Sequence, residues 1–459
     1  MKSIGIDIGT TTISFVITDN DTLTVLQKYT IASNSFIQTG NSWERIQDTD
    51  VILSRIRPVL HEILDTYSDI SVIGITSQMH GIVYTDSCGH AVSPLCTWQD
   101  GRGALPEFNG RSICRSLSED AGIKVAPGYG LVTHLYNVKK GIIPADASSF
   151  CTIGDYLGMV LTGRRTPLVH ISQAAGMGLF DLKKLEFMYE KIADAGADPA
   201  FLPEVTKNFS ALGSYKGIPV CVSIGDNQAS FLGSVTDGTD TVLVNVGTGS
   251  QVSVMSRQYI EIPEIETRPL TDSTYLLVGA AVCGGAAFAS LEKFFRTYAV
   301  AAGAPDISQY DIMKKLLELQ AEKDDAWQIR TTFSGTRSNP EDSGIITGIR
   351  TDNFHPAAMI RGVLNGMAEE LYELYHLIKT GTGTHRTKLI ASGNAVRQNR
   401  AFQQILEERF HMPLTIVQNE EEAAYGASLC ALSAFGHLSK RQLPVQLPVS
   451  SSLPPEAEH

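Results

Sequence analysis

Two stretches of this sequence share one design, and that design limits the possible folds more than any other feature. Residues 4–16 and 241–254 each consist of an apolar strand, a short turn of glycine and threonine, and a second apolar strand. Apolar residues that alternate with small or polar ones around such a turn predict a β-hairpin. One hairpin at the start of each half predicts a duplicated α/β fold, with two domains facing each other across a cleft.

The turns of both hairpins suit a phosphate group. Glycine tolerates positive φ and lets backbone N–H groups approach an anion, and threonine hydroxyls add donors. Asp7 ends the first strand and adds an acid, as in a metal-phosphate site. A single Asp-x-Gly-Thr pattern is more often only a tight turn, so the second hairpin is what favours phosphate binding. The turn residues are Gly9, Thr10 and Thr11 in the first hairpin, and Gly247, Thr248 and Gly249 in the second.

Length and charge restrict the class of protein. A chain of 459 residues exceeds one ordinary core, so we expect two domains of about 200 residues each. We place them at residues 1–235 and 240–440, with a flexible tail rich in proline and serine at residues 443–459. The net charge of −12 argues against a nucleic-acid partner, which needs clustered Lys and Arg.

The sequence also predicts a compartment. It contains no signal-peptide pattern and no apolar run long enough to span a membrane, so we expect a cytoplasmic protein with no membrane contact. Its seven cysteines have no metal-ligand spacing. We therefore expect reduced thiols, most of them buried.

Polar residues follow several predicted strands, and ligands collect at the carboxyl ends of strands in open α/β sheets. A buried strand at residues 71–76 precedes Gln78, Met79 and His80, and a strand at residues 217–224 precedes Asp226 and Asn227. A loop then combines Trp98, Asp100 and Arg102, and a strand in the second half ends at Gly393 and Asn394.

Two helices carry specific expectations. Apolar spacing predicts a helix over residues 51–64, in which Pro58 introduces a kink or marks a new start. The helix at residues 421–435 closes the second domain, and its Ala424, Gly426 and Ala427 leave a face that backbone can approach closely.

The sequence has no GxxxxGK[ST] motif and no GxGxxG motif after a strand, so it lacks the signatures of P-loop and dinucleotide enzymes. Over residues 1–436 it resembles the FGGY family of carbohydrate kinases, which have two RNase H-like domains of the actin/hexokinase type. Six motifs in the family's order carry this resemblance: Asp7 to Thr11, Gln78 to Gly81, Thr97 to Arg102, Gly225 to Gln228, Asn245 to Ser250, and Ser392 to Ala395.

The resemblance implies phosphorylation of a sugar hydroxyl by ATP, with Mg²⁺ on the phosphates. Asp226 matches the base that receives the proton of the attacking hydroxyl, although its position also suits a helix N-cap. We expect helix N-terminal donors to keep this carboxylate ionised. Asp7 matches the acid beside Mg²⁺, which keeps most of its water and needs only one or two carboxylates.

The resemblance also implies the binding residues. The glycine and threonine turns hold the phosphates, and Gly393 and Asn394 lie against the adenosine. The family usually has a second glycine where this chain has Asn394, but asparagine tolerates the left-handed conformation. The sugar is implied to contact Gln78, Met79, His80, Trp98, Asp100, Arg102 and Asn227.

Structural alternatives remain open for several of these residues. His80 also fits a structural histidine, and Trp98 fits a core residue. Arg102 is also a natural partner for Asp100.

The identity of the substrate depends on finer features. The form of the Trp98 loop and the short segment 335–340 resemble the members that phosphorylate sedoheptulose on its C7 hydroxyl. The motif at Gln78 is shared with xylulose-phosphorylating members, which are the alternative. A non-catalytic sugar-binding regulator on the same fold is a further alternative, and a homodimer stays open.

Overall fold

The computed structural model describes residues 1–319, 326–336, 339, 341–417 and 419–438. By their contacts the described residues form two compact units. The first unit contains Met1–Thr236, Arg268–Thr274 and the described residues from Glu421 onward, and the second contains Asp237–Thr267 and Tyr275–Glu420. The predicted tail at 443–459 and residues 337, 338 and 340 of the segment 335–340 lie outside the described residues.

Residues 1–236 alternate strands with helices, as the sequence predicts. The strands are β1 (Lys2–Ile8), β2 (Thr12–Asp19), β3 (Val25–Ala32), β4 (Ile46–Gln47), β5 (Ile70–Ser77), β6 (Val83–Thr85), β7 (Leu95–Cys96), β8 (Ser149–Cys151), β9 (Leu168–His170), β10 (Phe180–Asp181), β11 (Glu186–Phe187), β12 (Glu204–Thr206), β13 (Ala211–Tyr215), β14 (Ile218–Cys221) and β15 (Ile224–Gly225). The helices are α1 (Thr49–Thr66), α2 (Ile113–Ala121), α3 (Gly130–Lys140), α4 (Ile153–Thr162), α5 (Ile171–Gly176), α6 (Tyr189–Asp194) and α7 (Asp226–Ser234).

The remaining residues continue the same alternation. The strands are β16 (Thr241–Val246), β17 (Ser250–Ser256), β18 (Glu266–Thr271), β19 (Thr274–Ala281), β20 (Gln328–Arg330), β21 (Ile345–Thr347), β22 (Lys388–Ser392) and β23 (Leu414–Ile416). The helices are α8 (Gly284–Ala301), α9 (Tyr310–Leu319), α10 (Pro356–Thr382), α11 (Asn394–Arg397), α12 (Arg400–Phe410) and α13 (Glu422–Ala434).

The two main sheets share the predicted duplicated core. In the first, the order is β13-β14-β5-β1-β2-β3, with β15 paired to β5. In the second, the order is β18-β19-β17-β16-β22-β23. Each contains an antiparallel hairpin, β1–β2 or β16–β17, whose first strand also pairs in parallel with a later strand, β5 or β22. The hairpin prediction is thus confirmed in both halves.

The last described helix, α13, belongs to the first unit rather than closing the second as the sequence suggested. It packs against β1, β5 and α7. A Cβ atom on Gly5 would lie 1.8 Å from the carbonyl oxygen of Ala424, and one on Gly74 would lie 1.9 Å from that of Ala427. The expected close approach of backbone to this helix is confirmed, and it explains why α13 packs on these strands.

Local differences from the sequence expectations have simple causes. Helix α1 runs through Pro58 as one element, so this proline does not start a new helix. The strand expected at residues 217–224 is divided into β14 and β15, which both pair with β5. Strand β3 was not predicted, because it is mostly exposed and lacks a clear apolar pattern.

Two expectations of composition have structural counterparts. Among the described residues no helix is both long and apolar enough to cross a membrane. All seven cysteines are free thiols, and five of them are buried, at Cys96, Cys151, Cys221, Cys283 and Cys430.

Candidate active site

Three neighbouring strands of the first unit end at one edge of the sheet and bring three predicted site residues together. Strand β1 pairs in parallel with β5, so that Asp7 lies opposite Thr76, and β15 pairs with β5 so that Gly225 lies opposite Ser77. The backbone N–H of Gln78 donates to Ile8 at 2.9 Å. Asp7, Gln78 and Asp226 therefore meet where parallel strands end, as the sequence predicts.

The carboxyl group of Asp7 is in an environment that favours a bound cation. Its Oδ1 is buried and has no hydrogen-bond partner among the described residues. Burial raises the pKa of Asp7 well above its ordinary value, and the nearby carboxyl groups of Asp226 and Glu421 raise it further. An unpartnered carboxylate oxygen near other acids is relieved by a positive ion.

Glu421 is an acid of this site that the sequence analysis missed. It lies just before helix α13, accepts a hydrogen bond from Thr30 Oγ1 at 2.7 Å, and acts electrostatically on Asp7. Its place depends on a helix that returns from the far end of the chain, and no local pattern marks it.

Asp226 is the first residue of helix α7, and Gly225 is the N-cap. The N-cap alternative for Asp226 is therefore wrong. Its Oδ1 accepts from the N–H of Asn227 at 2.7 Å. Burial raises the pKa of Asp226 to about 6, while the charge of Arg268 and the Asn227 N–H oppose this rise. The expectation that helix donors set the ionisation is corrected, since burial has the larger effect, yet the carboxyl remains mostly ionised at pH 7.

Arg268 is a second residue that the sequence analysis missed. It lies on β18 and interacts electrostatically with Asp226 and Tyr129. Burial lowers its pKa, and those two groups oppose this effect. The next residue, Pro269, accepts a hydrogen bond from Gln228 Nε2 at 3.1 Å, and Arg268, Pro269 and Gln228 all belong to the first unit. A lone arginine in a strand offers no sequence signal.

The first turn is joined to the predicted sugar residues by side chains. Trp98 Nε1 donates to Thr10 Oγ1 at 3.0 Å, and the Thr10 hydroxyl donates to Gln78 Oε1 at 3.3 Å. Trp98 is 47% exposed, so the core alternative for this ring is wrong. Gly9 and Thr11 complete the turn between β1 and β2.

The residues after β5 differ in their exposure. Met79 is buried, whereas His80 is partly exposed and has an unusual φ of 76°. The His80 ring stacks on Tyr129 with centroids 4.7 Å apart, and its Nδ1 lies 2.6 Å from the carbonyl oxygen of Gly176. These contacts fix the ring at the same sheet edge as Gln78. Asn227 is buried, and its Oδ1 has no partner among the described residues.

Asp100 and Arg102 are paired with each other, which is the alternative that the sequence left open. Arg102 Nε donates to Asp100 Oδ1 at 2.7 Å and Arg102 Nη2 donates to Oδ2 at 3.1 Å. Asp100 Oδ2 also accepts from the N–H of Arg45, and Arg102 Nη1 donates to Asn137 Oδ1 at 2.8 Å. Both side chains are buried, so the pair stabilises the Trp98 loop.

The second turn, in the second unit, is held by the start of helix α8. The N–H of Gly285 donates to the carbonyl oxygen of Gly247 at 3.0 Å, and that of Ala286 donates to Thr248 at 2.9 Å. A Cβ atom on Gly285 would lie 2.3 Å from the Gly247 oxygen, and one on Gly284 would lie 2.3 Å from the carbonyl carbon of Gly249. The sequence analysis did not assign this glycine pair to the site.

The corner after β22 lies beside this turn. Gly393 has a φ of 93°, and a Cβ atom there would lie 2.4 Å from the carbonyl oxygen of Val246. Asn394 is exposed and begins helix α11 without positive φ. The corner therefore needs only one glycine, and the left-handed tolerance of asparagine is not what preserves it.

The described residues contain no group of three or more His, Cys, Asp or Glu side chains placed to hold a metal ion. Mg²⁺ needs only one or two protein carboxylates, because it keeps several waters and binds substrate phosphates. Asp7, with its unpartnered buried oxygen, is the residue that fits such an ion.

Comparison with known protein families gives matches over both halves of the chain. The N-terminal domain of the FGGY family of carbohydrate kinases matches residues 3–233, and the C-terminal domain of that family matches residues 242–435.

Individual relatives match over nearly the whole chain. Mouse (Mus musculus) sedoheptulokinase is 25% identical, covering 94% of this chain and 97% of its own length. Gluconokinase of Bacillus subtilis is 22% identical, covering 95% and 88%. The crystal structure of xylulose kinase from Rhodospirillum rubrum has a TM-score of 0.82 at 20% identity, covering 98% of this chain and 95% of its own. This structural likeness confirms the two-domain α/β fold that the sequence predicts.

Proposed function

The chain belongs to the FGGY family of carbohydrate kinases, and we propose that it transfers the γ-phosphate of ATP to the C7 hydroxyl of sedoheptulose. The kinase activity follows from the family, and the sugar is our inference. The similarity to sedoheptulokinase over 94% of this chain carries that choice, together with the form of the Trp98 loop.

Asp226 is the proposed base. A carboxylate with a pKa of about 6 is mostly ionised at neutral pH and can accept the proton of the attacking hydroxyl. Its proton affinity is higher than that of an ordinary aspartate, because burial destabilises the charged form. The charge of Arg268 opposes this effect and lowers the pKa of Asp226.

Asp7 is proposed to hold Mg²⁺ through its free carboxylate oxygen, and Glu421 adds negative charge nearby. When bound, the ion neutralises charge on the transferred phosphoryl group. Asp7 itself contributes by fixing the place of the ion at the end of β1.

The two glycine turns are proposed to hold the phosphates of ATP through backbone N–H groups, and Gly393 and Asn394 are proposed to contact the adenosine. In the first turn the Thr10 hydroxyl is already bonded to Gln78 and Trp98, so its backbone is the better donor. The first turn comprises Gly9, Thr10 and Thr11, and the second comprises Gly247, Thr248 and Gly249.

The sugar is proposed to lie against Trp98 and to bond with Gln78, His80 and Asn227. The exposed Trp98 ring offers an apolar face to the C–H groups of a polyol, and the Asn227 Oδ1 lacks a partner in the described structure. Met79 is buried beside Gly225 and is proposed to support the residues around Asp226. The pair Asp100–Arg102 is proposed to contribute by fixing the Trp98 loop.

The domain limits 1–235 and 240–440 remain proposals as limits along the sequence, with helix α13 packing in the first unit, and a cytoplasmic location also remains a proposal. A homodimer is a further proposal, which light scattering of the purified chain would test.

A panel of ketoses, including sedoheptulose and xylulose, together with gluconate, in a coupled ADP-release assay tests the sugar. We expect the highest kcat/KM for sedoheptulose and no activity without Mg²⁺. Faster turnover of xylulose would overturn the sugar assignment and favour the alternative, which is supported by the shared motif from Gln78 to Gly81. Phosphorylation of gluconate alone would reject both ketoses.

A further inference from the structure

Gln47 is a buried residue with no assigned role that connects two predicted parts of the active site. It is the second residue of β4, which pairs with β7 just before the Trp98 loop. Its side chain is fully buried. A buried amide must find partners for its donors and its acceptor, and those partners reveal what it positions.

The amide of Gln47 bonds to both neighbouring loops. Its Nε2 donates to the backbone carbonyl oxygen of Thr10 at 2.8 Å and to Ser35 Oγ at 2.9 Å. Its Oε1 accepts from Gln78 Nε2 at 2.8 Å. One side chain therefore contacts the backbone of the first turn and the side chain after β5.

These bonds close into a ring. The Thr10 hydroxyl donates to Gln78 Oε1, Gln78 Nε2 donates to Gln47 Oε1, and Gln47 Nε2 donates back to the Thr10 carbonyl. Reversing the Gln47 amide would place donor against donor at Gln78, and reversing the Gln78 amide would place acceptor against acceptor at Gln47, so the ring fixes both orientations. Trp98 Nε1 joins the ring at the Thr10 hydroxyl.

The ring makes the positions of the two loops depend on each other. A sugar hydroxyl that bonds to Gln78 acts on an amide whose other end is bonded to Gln47, and Gln47 holds the Thr10 backbone. Hydrogen bonds in a closed buried network reinforce one another, and losing one member leaves the others unsatisfied.

We infer that Gln47 is a positioning residue that couples binding of the sugar at Gln78 to binding of the nucleotide phosphates at the first turn. This inference rests on the proposed function, since that function assigns the ligands of the two loops. Gln47 contacts neither ligand itself.

The test is isothermal titration of a non-hydrolysable ATP analogue with Mg²⁺, with and without the best sugar of the ketose panel, together with a titration of that sugar alone. For the unaltered chain we expect the sugar to tighten analogue binding. Gln47→Met, which keeps the size and removes all three hydrogen bonds, should remove most of that tightening and raise the Kd of the analogue and the Kd of the sugar about tenfold.

Gln47→Glu separates the two connections. A glutamate carboxylate still accepts from Gln78 Nε2 but no longer donates to the Thr10 carbonyl. We expect its sugar Kd to stay near that of the unaltered chain, while its analogue Kd rises about tenfold.

Asn20→Leu is the matched control. Asn20 is also a buried amide of the first unit, and its Nδ2 donates to Ser71 Oγ at 2.8 Å near the opposite ends of β1 and β2. This variant loses a similar bond, and it should keep the sugar effect on analogue binding.

Three results would overturn the inference: no effect of sugar on analogue binding in the unaltered chain, the same effect in Gln47→Met, or equal losses in Gln47→Glu and Asn20→Leu. If Gln47→Met fails to fold, the Gln47→Glu titrations decide. The analogue titration needs no sugar, so Gln47 is still tested if the ketose panel rejects the proposed substrate.

Discussion

The two glycine turns of this chain have the same strand design but are stabilised in different ways. The first turn is bonded to side chains, among them Gln78 and Trp98 at Thr10. The second turn accepts hydrogen bonds from backbone N–H groups at the start of helix α8. Gly284 and Gly285 lie so close to this turn that a Cβ atom on either would collide with its backbone. Substitutions that remove a side-chain hydrogen bond should therefore disturb the first turn, whereas the second turn should be disturbed mainly by substitutions that add volume.

The largest effect should follow from removing the proposed base of the first unit, Asp226. Asp226→Asn should lower kcat about a thousandfold, because a general base contributes a factor of this order. Because Asp226 is buried and its charge is destabilised there, the Asn variant should also be more stable than the unaltered chain at pH 7. The stability that this carboxyl confers is greatest below its ordinary pKa of 3.8 and is lost as pH rises towards about 6.

Steady-state kinetics and thermal melting at pH 7 check this pair of effects. We expect a higher Tm together with the lost activity, and unchanged ATP binding. A lower Tm would indicate a structural role for Asp226, and an unaltered kcat would reject Asp226 as the base.

A smaller effect should follow from adding volume at the second turn. Gly285→Ala places a methyl group against the Gly247 carbonyl, and overpacking of this kind costs about 1–3 kcal/mol. We expect a lower Tm and a higher KM for ATP. Gly40→Ala is the control, since a Cβ atom there meets nothing within 4 Å.

Gly9→Ala sharpens the comparison between the turns. Its nearest new contact would be 3.0 Å, with the carbonyl oxygen of Thr12, against 2.3 Å for Gly285. We expect the smaller loss of Tm for Gly9→Ala. The reverse order in a melting experiment would contradict the distinction drawn here.

The pH profile should show the electrostatics of the first unit. With a pKa of about 6 for Asp226, kcat should rise about tenfold per pH unit in acid and level off above pH 6. Arg268→Gln removes a charge that lowers this pKa, so the acid limb should move to higher pH. Arg268→Lys keeps the charge and is the control, and a limb that moves to lower pH would be contrary to this assignment.

The smallest effect should come from removing the indole N–H of Trp98. Trp98→Phe keeps an aromatic ring but loses the bond to the Thr10 hydroxyl, so we expect the KM for ATP to rise about threefold. The KM for sugar should change less than in Trp98→Ala, which also removes the ring. Equal changes in both KM values for Trp98→Phe would reject a separate role for the N–H.

The sequence was sufficient for features that depend on local pattern. Both hairpins, the strand before Gln78 and the helix after Asp226 follow from periodicity and turn residues. Gln47, Arg268 and Glu421 could not be found in this way, because each meets its partners through strand pairing or a distant helix. The roles of Asp100 and Arg102 stayed open because sequence does not distinguish a buried pair from two ligand contacts.

The docking of α13 against β1 and β5 has a consequence for synthesis of the chain. The glycine-to-carbonyl contacts at Gly5 and Gly74 form only after residues 422–434 have been made. During translation these strands must wait, with one apolar face uncovered, until the ribosome has passed residue 434. A fragment that stops at residue 235 should consequently aggregate, even though it contains most of the first unit.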